Sequence, residues 1–278
     1  ADGLAVYADA AFTAAASQEP TFVAAWIGAL SYTLQIYFDF SGYSDMAIGL
    51  ARMLGVRLPQ NFESPYKATS IVDFWRRWHI TLSRFLRDYL YIPLGGNRQG
   101  FGRQQINILI TMILGGLWHG AAWTFLVWGA LHGIFLAVNH LWRSVRALLG
   151  HDLAVSTLPG RIAGRGLTFI CVVFAWVFFR ADSFATAWSM LSGMAGLNGI
   201  AAEVTAVDGD LLIWLGGLLA VVHLAPNTRE MGLRMNTDWT LTRLRVPVMP
   251  VLAVSGIVGL LIVVAKGSLG ANFIYMVF

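Results

Sequence analysis

The sequence predicts an all-α, polytopic transmembrane protein, and three observations carry that expectation. First, 57% of the 278 residues are hydrophobic and only 12% are charged, about half the charged share of a soluble domain. Mean hydropathy is accordingly high, at +0.63. Second, apolar stretches of spanning length recur along the chain without the apolar–polar alternation of outer-membrane barrel strands. Third, the intervening loops sort by charge sign. The net charge of +4 is therefore a matter of loops and membrane faces, not a nucleic-acid signal. Of the 19 basic residues only Lys67 and Lys266 are lysines. Arginine suits phosphate and carboxylate contacts at an interface. Cys171 stands alone in an apolar segment, which leaves neither a disulfide nor a zinc site.

In chain order, residues 1–20 are small and acidic, and Thr21 to Phe38 is a first span. Asp39 and Asp45 then interrupt an apolar run. Gly42 between two serines predicts a break there, with Ser44 or Asp45 capping a short helix through Leu54. The two aspartates are expected to be structural polar groups. After a loop punctuated by Pro59 and Pro65, Ser70-Ile71-Val72-Asp73 is a capping box. From it, residues 70–91 read as one interfacial amphipathic helix, with Ile71, Trp75, Trp78, Leu82, Phe85 and Tyr89 on one face and arginines on the other. His79 sits at the flank of the apolar face. Pro93 ends the element and Gly95-Gly96-Asn97-Arg98 is a turn.

The apolar run from Ile106 to Leu141 holds about 36 residues, whereas two full spans need about 40. It reads as a helical hairpin with Gly115-Gly116-Leu117-Trp118-His119-Gly120 at or near its apex. Beyond it come a span centred on Leu167–Phe179, a shallow helix from Ser183 to Leu197, an acidic loop at 201–210, and spans at Leu211–Leu224 and Pro250–Ala265. Basic loops place residues 52–103, 143–165 and 226–247 in the cytoplasm. The acidic N-terminus, the 181–210 loop and the C-terminal tail fall outside. This alternates consistently only if the hairpin enters and returns to the same side. Residues 1–278 read as a single domain, without repeat or linker.

The titratable groups of the hairpin are His119, His132 and His140. An ionisable side chain at membrane depth is a functional candidate by default. Histidine is the group best suited to moving a proton near neutral pH. There is no Gly-x-Ser-x-Gly elbow, and no Walker or dinucleotide glycine pattern. The histidines lack metal-ligand spacing or carboxylate companions, so no metal is expected. What remains is histidine-mediated proton transfer beside arginines able to bind an anion. Acyl transfer to a hydroxyl fits that inventory, and a proton-coupled transporter fits it nearly as well.

Three runs, YFDFSGYSDMAIGLARMLG, NFESPYKATSIVDFWRRWHITLSRFLRDYLYIPLGGNR and GLWHGAAWTFLVWGALHG, resemble the membrane-bound O-acyltransferase (MBOAT) family. They are most similar to its bacterial branch that acetylates exported polysaccharides such as alginate. The ending FIYMVF is similar too, with Met276 and Val277 where the family form has a further aromatic. Set against the family's usual length, the resemblance implies that this is the C-terminal portion of a longer family domain, truncated at the N-terminus. It implies that His119 is the catalytic base and that His79 is a second histidine near the same tunnel. Arg76, Arg77, Trp78, Arg87, Asn97, Arg98 and Trp118 lie in matching motifs and are expected to bind substrate or donor. Asp39, Asp45 and His132 match motif positions expected to be structural. The resemblance further implies an acyl thioester, acetyl-CoA above all, as co-substrate rather than a bound cofactor. A periplasmic acyltransferase partner, the polysaccharide export machinery and an inner-membrane, multi-pass location follow from the same resemblance. D-alanyl transfer from a carrier protein toward teichoic acid is the alternative within the fold. A transporter or scaffold in an export complex is the alternative outside it.

Overall fold

The computed structural model describes residues 1–153, 156–200 and 209–234. Every regular element among them is helical. The expected span at 250–265, the C-terminal tail and most of the acidic 201–210 loop lie outside the described residues. The chain divides into a unit of Ala1–His223 and a unit of Leu224–Val277.

In the first unit, the N-terminal residues form helix α1 (Asp2–Ala15), which buries Leu4, Ala8, Phe12 and Ala15, one stripe at helical spacing. That stripe packs on α2 (Phe22–Met53). Helix α2 runs unbroken for 32 residues, through the break expected at Gly42. A glycine inside a helix costs only about 0.5–1 kcal/mol. Here Phe40 and Ser44 on either side of it are buried, so packing outweighs the local preference. Asp39 and Asp45 are consequently half-buried interior positions of α2 and cap no helix.

The 70–91 segment differs from the single helix expected. Ser70 caps α3 (Ile71–Arg77) by accepting from the Asp73 N–H at 3.2 Å. The chain then breaks at Trp78 and His79, restarts as α4 (Ile80–Leu86), and ends in a π-helical turn at Arg87–Tyr91. The hydrophobic pattern survives the break, which is why periodicity alone joins the two pieces.

Helices α5 (Phe101–His119) and α6 (Trp123–Leu148) form an antiparallel hairpin with its apex at 120–122. They continue past both ends of the apolar run, and α6 is long and apolar enough to cross a membrane. Close approach is built from glycine. A Cβ at Gly116 would fall 2.3 Å from the Phe125 carbonyl oxygen, and one at Gly129 would fall 2.3 Å from that of Met112. Thr157 caps α7 (Leu158–Arg180), 23 residues long and the second helix able to cross. Its Arg180 meets Asp9 of α1 at 2.7 Å. Ser183 caps α8, which ends at Met194 rather than Leu197. Helix α9 (Gly209–Leu224) is 16 residues long and apolar from Leu211 onward, short of the about 20 that a full crossing takes.

The described part of the second unit contains α10 (Thr228–Arg234). Asn227 and Glu230 cap it reciprocally, the Glu230 N–H donating to Asn227 Oδ1 at 2.7 Å and the Asn227 N–H donating to Glu230 Oε2 at 3.3 Å.

Candidate active site

The break between α3 and α4 puts His79 in the left-handed region, at φ +42° and ψ +54°. A bulky side chain persists there only where its surroundings hold it. The hold comes from the preceding loop. The Ile80 N–H donates to the Asn61 carbonyl at 3.0 Å, and the Glu63 N–H donates to the Arg77 carbonyl at 2.9 Å. Asn61 also meets His79 directly, Oδ1 to Nδ1 at 3.1 Å. Phe40 of α2 closes the other side, edge to face at 4.8 Å. Burial first, and His119 second, push the His79 imidazole down to about 3, so it is neutral at physiological pH.

His119 is the last residue of α5 and is 5% exposed. Trp118, Trp128 and Phe179 surround its ring at centroid distances of 5.0, 5.3 and 5.1 Å. Its Nδ1 is buried and has no hydrogen-bond partner among the described residues. Three separate elements therefore converge on this imidazole: α5, α6 and α7. Its charge bears on the His79 imidazole across the 40 positions that separate them in sequence.

His132 is placed differently. It is fully buried, stacked on Phe74 at 6.0 Å, and its Nδ1 accepts from the Trp75 indole N–H at 3.3 Å. That bond ties α3 to α6. Trp78 is likewise committed to the interior, 2% exposed against Phe62 and Trp176. Arg77 holds Asp73 at 2.8 Å and donates to the Glu63 carbonyl at 3.3 Å.

A cavity of about 580 Å³ lies between the α3–α4 segment and the hairpin. Arg76, Arg84 and Arg87 border it beside an apolar wall that includes Trp75, Ile108, Met112 and Leu136. Arg87 pairs with Asp88 at 2.7 Å, while Arg76 and Arg84 have no ion-pair partner among the described residues. Such a lining suits an amphipathic anion. Of the residues expected to bind donor, the fold thus brings Arg76 and Arg87 to one cavity, whose lining includes neither His79 nor His119. Trp118 lies beside His119, and Asn97 and Arg98 are exposed in the turn after the π-helical segment. Two contributors escape the sequence reading. Arg84 looks like any other solvated arginine of an amphipathic helix. Asn61 carries no signal beyond its place at the head of the NFESPY run.

Comparison with known proteins places this architecture. The model of the family described as MBOAT, membrane-bound O-acyltransferase family, matches residues 1–152. A peptidoglycan O-acetyltransferase of Helicobacter pylori is 50% identical over 200 residues, 72% of this chain and 36% of that protein. A protein of Azotobacter vinelandii described as "probable alginate O-acetylase AlgI" is 52% identical over 195 residues, 70% of this chain and 36% of its own length. A teichoic acid D-alanyltransferase of Streptococcus thermophilus is 30% identical over 162 residues, 53% of this chain and 39% of that protein. The chain spans little more than a third of the length of these curated relatives. Its family-model match, its three long motifs and its all-helical fold agree: this chain belongs to the membrane-bound O-acyltransferase family.

Proposed function

We propose that this chain carries the catalytic histidines of a membrane-embedded O-acetyltransferase that modifies an exported polysaccharide. One observation supports this above the rest. A buried imidazole, His119, keeps a nitrogen without a partner among the described residues, where α5, α6 and α7 meet. Buried polar atoms are normally satisfied, so a histidine nitrogen left without a partner calls for an explanation, and a proton-transfer role is one. The relatives' names supply the group transferred and the acceptor class, acetyl to peptidoglycan in one and to alginate in the other.

In the proposed reaction a thioester donor of the acetyl-CoA type approaches from the cytoplasmic face and a hydroxyl from the other. The hydroxyl oxygen attacks the thioester carbonyl carbon as His119 takes its proton. The new C–O bond forms, the C–S bond breaks, and the thiolate leaves with the proton returned by the imidazolium. His79 stabilises the charged state. The phosphates of the donor are assigned to Arg76, Arg84 and Arg87 around the 580 Å³ cavity. Trp75, Ile108 and Met112 would line its pantetheine arm. Transfer to a periplasmic acyltransferase partner, and a place in the export assembly at the bacterial inner membrane, belong to the same proposal.

D-alanyl transfer from a carrier protein rests on the more distant relative, 30% identical against 50–52% for the acetyl-transferring ones. A transporter or scaffold role has no support among the relatives' names, which are those of acyl-transferring enzymes. The test uses the intact protein in proteoliposomes with labelled acetyl-CoA and a glycan acceptor. His119→Ala is expected to lower acetyl transfer at least 100-fold, the lower end of the loss expected when a general base is removed. Transfer at the wild-type rate would remove His119 from the reaction.

A further inference from the structure

The hydrogen bonds around Asn61 define which nitrogen of His79 is basic. Asn61 Oδ1 accepts from the Thr81 backbone N–H at 3.3 Å. A backbone N–H can only donate, so this contact fixes which end of the amide is oxygen. The amide nitrogen turns the other way, to Ser44 Oγ at 3.4 Å on α2. The Thr81 hydroxyl donates to the same Oδ1 at 2.9 Å, which directs its proton away from the ring. The remaining contact of Oδ1 is His79 Nδ1 at 3.1 Å. An amide oxygen cannot donate, so the proton of that bond resides on Nδ1. Thr81 Oγ1 is also 3.4 Å from Nδ1, a longer contact that does not compete for it.

We propose that Asn61 is a positioning residue that holds His79 in the Nδ1–H tautomer and so presents Nε2 as its proton-accepting atom. A neutral imidazole has one N–H, and the other nitrogen keeps the lone pair. Burial and His119 keep His79 neutral, so this tautomer is its resting form. The left-handed backbone at residue 79 serves the same end. It brings Nδ1 back toward Asn61, where a continuous helix would carry the ring onward with α3. Asn61 orients the His79 ring through a neutral amide. A carboxylate there would hold the imidazolium too firmly to release its proton, whereas an amide orients the ring and leaves proton affinity low. While His119 carries the proton of the proposed reaction, Nε2 of His79 offers its lone pair to the charge that forms beside it, and Nδ1–H stays on Asn61. The proposal rests on the acyl-transfer reading for its purpose, but its geometry does not.

The experiment therefore has an arm independent of activity. The intact protein, labelled with ¹⁵N-histidine and reconstituted in nanodiscs, gives a His79 signal assigned by its disappearance in His79→Gln. The wild type is expected to show Nδ1 protonated and Nε2 unprotonated. Asn61→Ala should lose that preference, and acetyl transfer should fall about 10–100-fold at unchanged membrane abundance, the usual cost of removing a group that orients a functional histidine. Asn61→Asp keeps an acceptor toward Nδ1. It should retain the tautomer, recover part of the rate, and move the acidic limb of the pH–rate profile upward, because a carboxylate beside the imidazole favours its protonated form. His119 is the titratable neighbour that acts on this ring, so the profile is measured in each Asn61 variant with His119 intact. An Nε2–H signal in the wild type, or an Asn61→Ala protein with wild-type tautomer and rate, would overturn the proposal. An intact tautomer with no loss of transfer in His119→Ala would bring down the catalytic reading instead.

Discussion

At the residue scale the site is a pair of imidazoles with opposite dispositions. His79 is bonded, oriented and strained; His119 is walled by aromatic rings with one nitrogen partnerless among the described residues. The depressed affinity of His79 for protons has a consequence for stability. Its pKa is about 3 folded, against 6.5 ordinarily. The unfolded chain therefore binds more protons between those values. By linkage, stability rises with pH across that window, is complete above about 6.5, and is lost as the pH falls from there toward 3. Each pH unit within the window is worth up to about 1.4 kcal/mol per site. Lowering the pH from 7.5 to 5.5 should thus reduce the thermal midpoint of the wild type in detergent more than that of His79→Gln. Equal reductions in the two proteins would show that His79 titrates normally in the folded state.

The hairpin shows what an element contributes. His119 owes its position to how closely α5 and α6 approach, and Gly116 and Gly129 set that distance. Gly116→Ala puts a methyl group 2.3 Å from the Phe125 carbonyl oxygen, which is backbone and cannot rotate away. The helices must part, at a cost of about 1–3 kcal/mol, and His119 shifts with them. Gly49→Ala is the contrasting substitution: in the interior of α2 with nothing within 4 Å, it should stabilise by about 0.5–1 kcal/mol. Denaturation midpoints in detergent check both signs, and a neutral Gly116→Ala would show that the helices are not held at this spacing. The hairpin was legible because length, glycine content and loop charge all pointed the same way. The break at His79 was not legible. Nothing in RRWHIT departs from helical propensity, and what turns the chain there is a loop 18 residues earlier, bonded through Asn61. The opposite error at Gly42 has the same origin. Local preference predicts a stop, and the burial of Phe40 and Ser44 carries the helix through.

On the scale of the whole molecule, spacing of apolar runs conveys the all-helical class, since spans must satisfy their backbone internally. Which residues meet at the site depends on contacts between elements far apart in sequence, such as Trp75 with His132 and Phe179 with His119. Orientation in the membrane follows from physics that the helices alone do not contain. At 19 and 26 residues, α5 and α6 rise about 28 and 39 Å at 1.5 Å per residue. Those lengths are comparable with a hydrocarbon core of about 30 Å. If both feet of the hairpin are cytoplasmic, as the arginines at 143, 146 and 161 suggest, the 120–122 apex reaches the opposite face. On the proposed reaction His119 would then stand nearer the acceptor's compartment than the donor's, and the thioester would extend inward to meet it. The expectation is tested in the intact protein with all native cysteines replaced, Cys171 included. Ala121→Cys, at an exposed apex position, should react with an impermeant thiol reagent added outside sealed cells. Arg161→Cys, exposed at the start of α7, should react only after the membrane is opened. Labelling of position 121 only from the inside would mean that the hairpin dips into the membrane without crossing it, and the hydroxyl acceptor would then need a passage through the protein to reach His119.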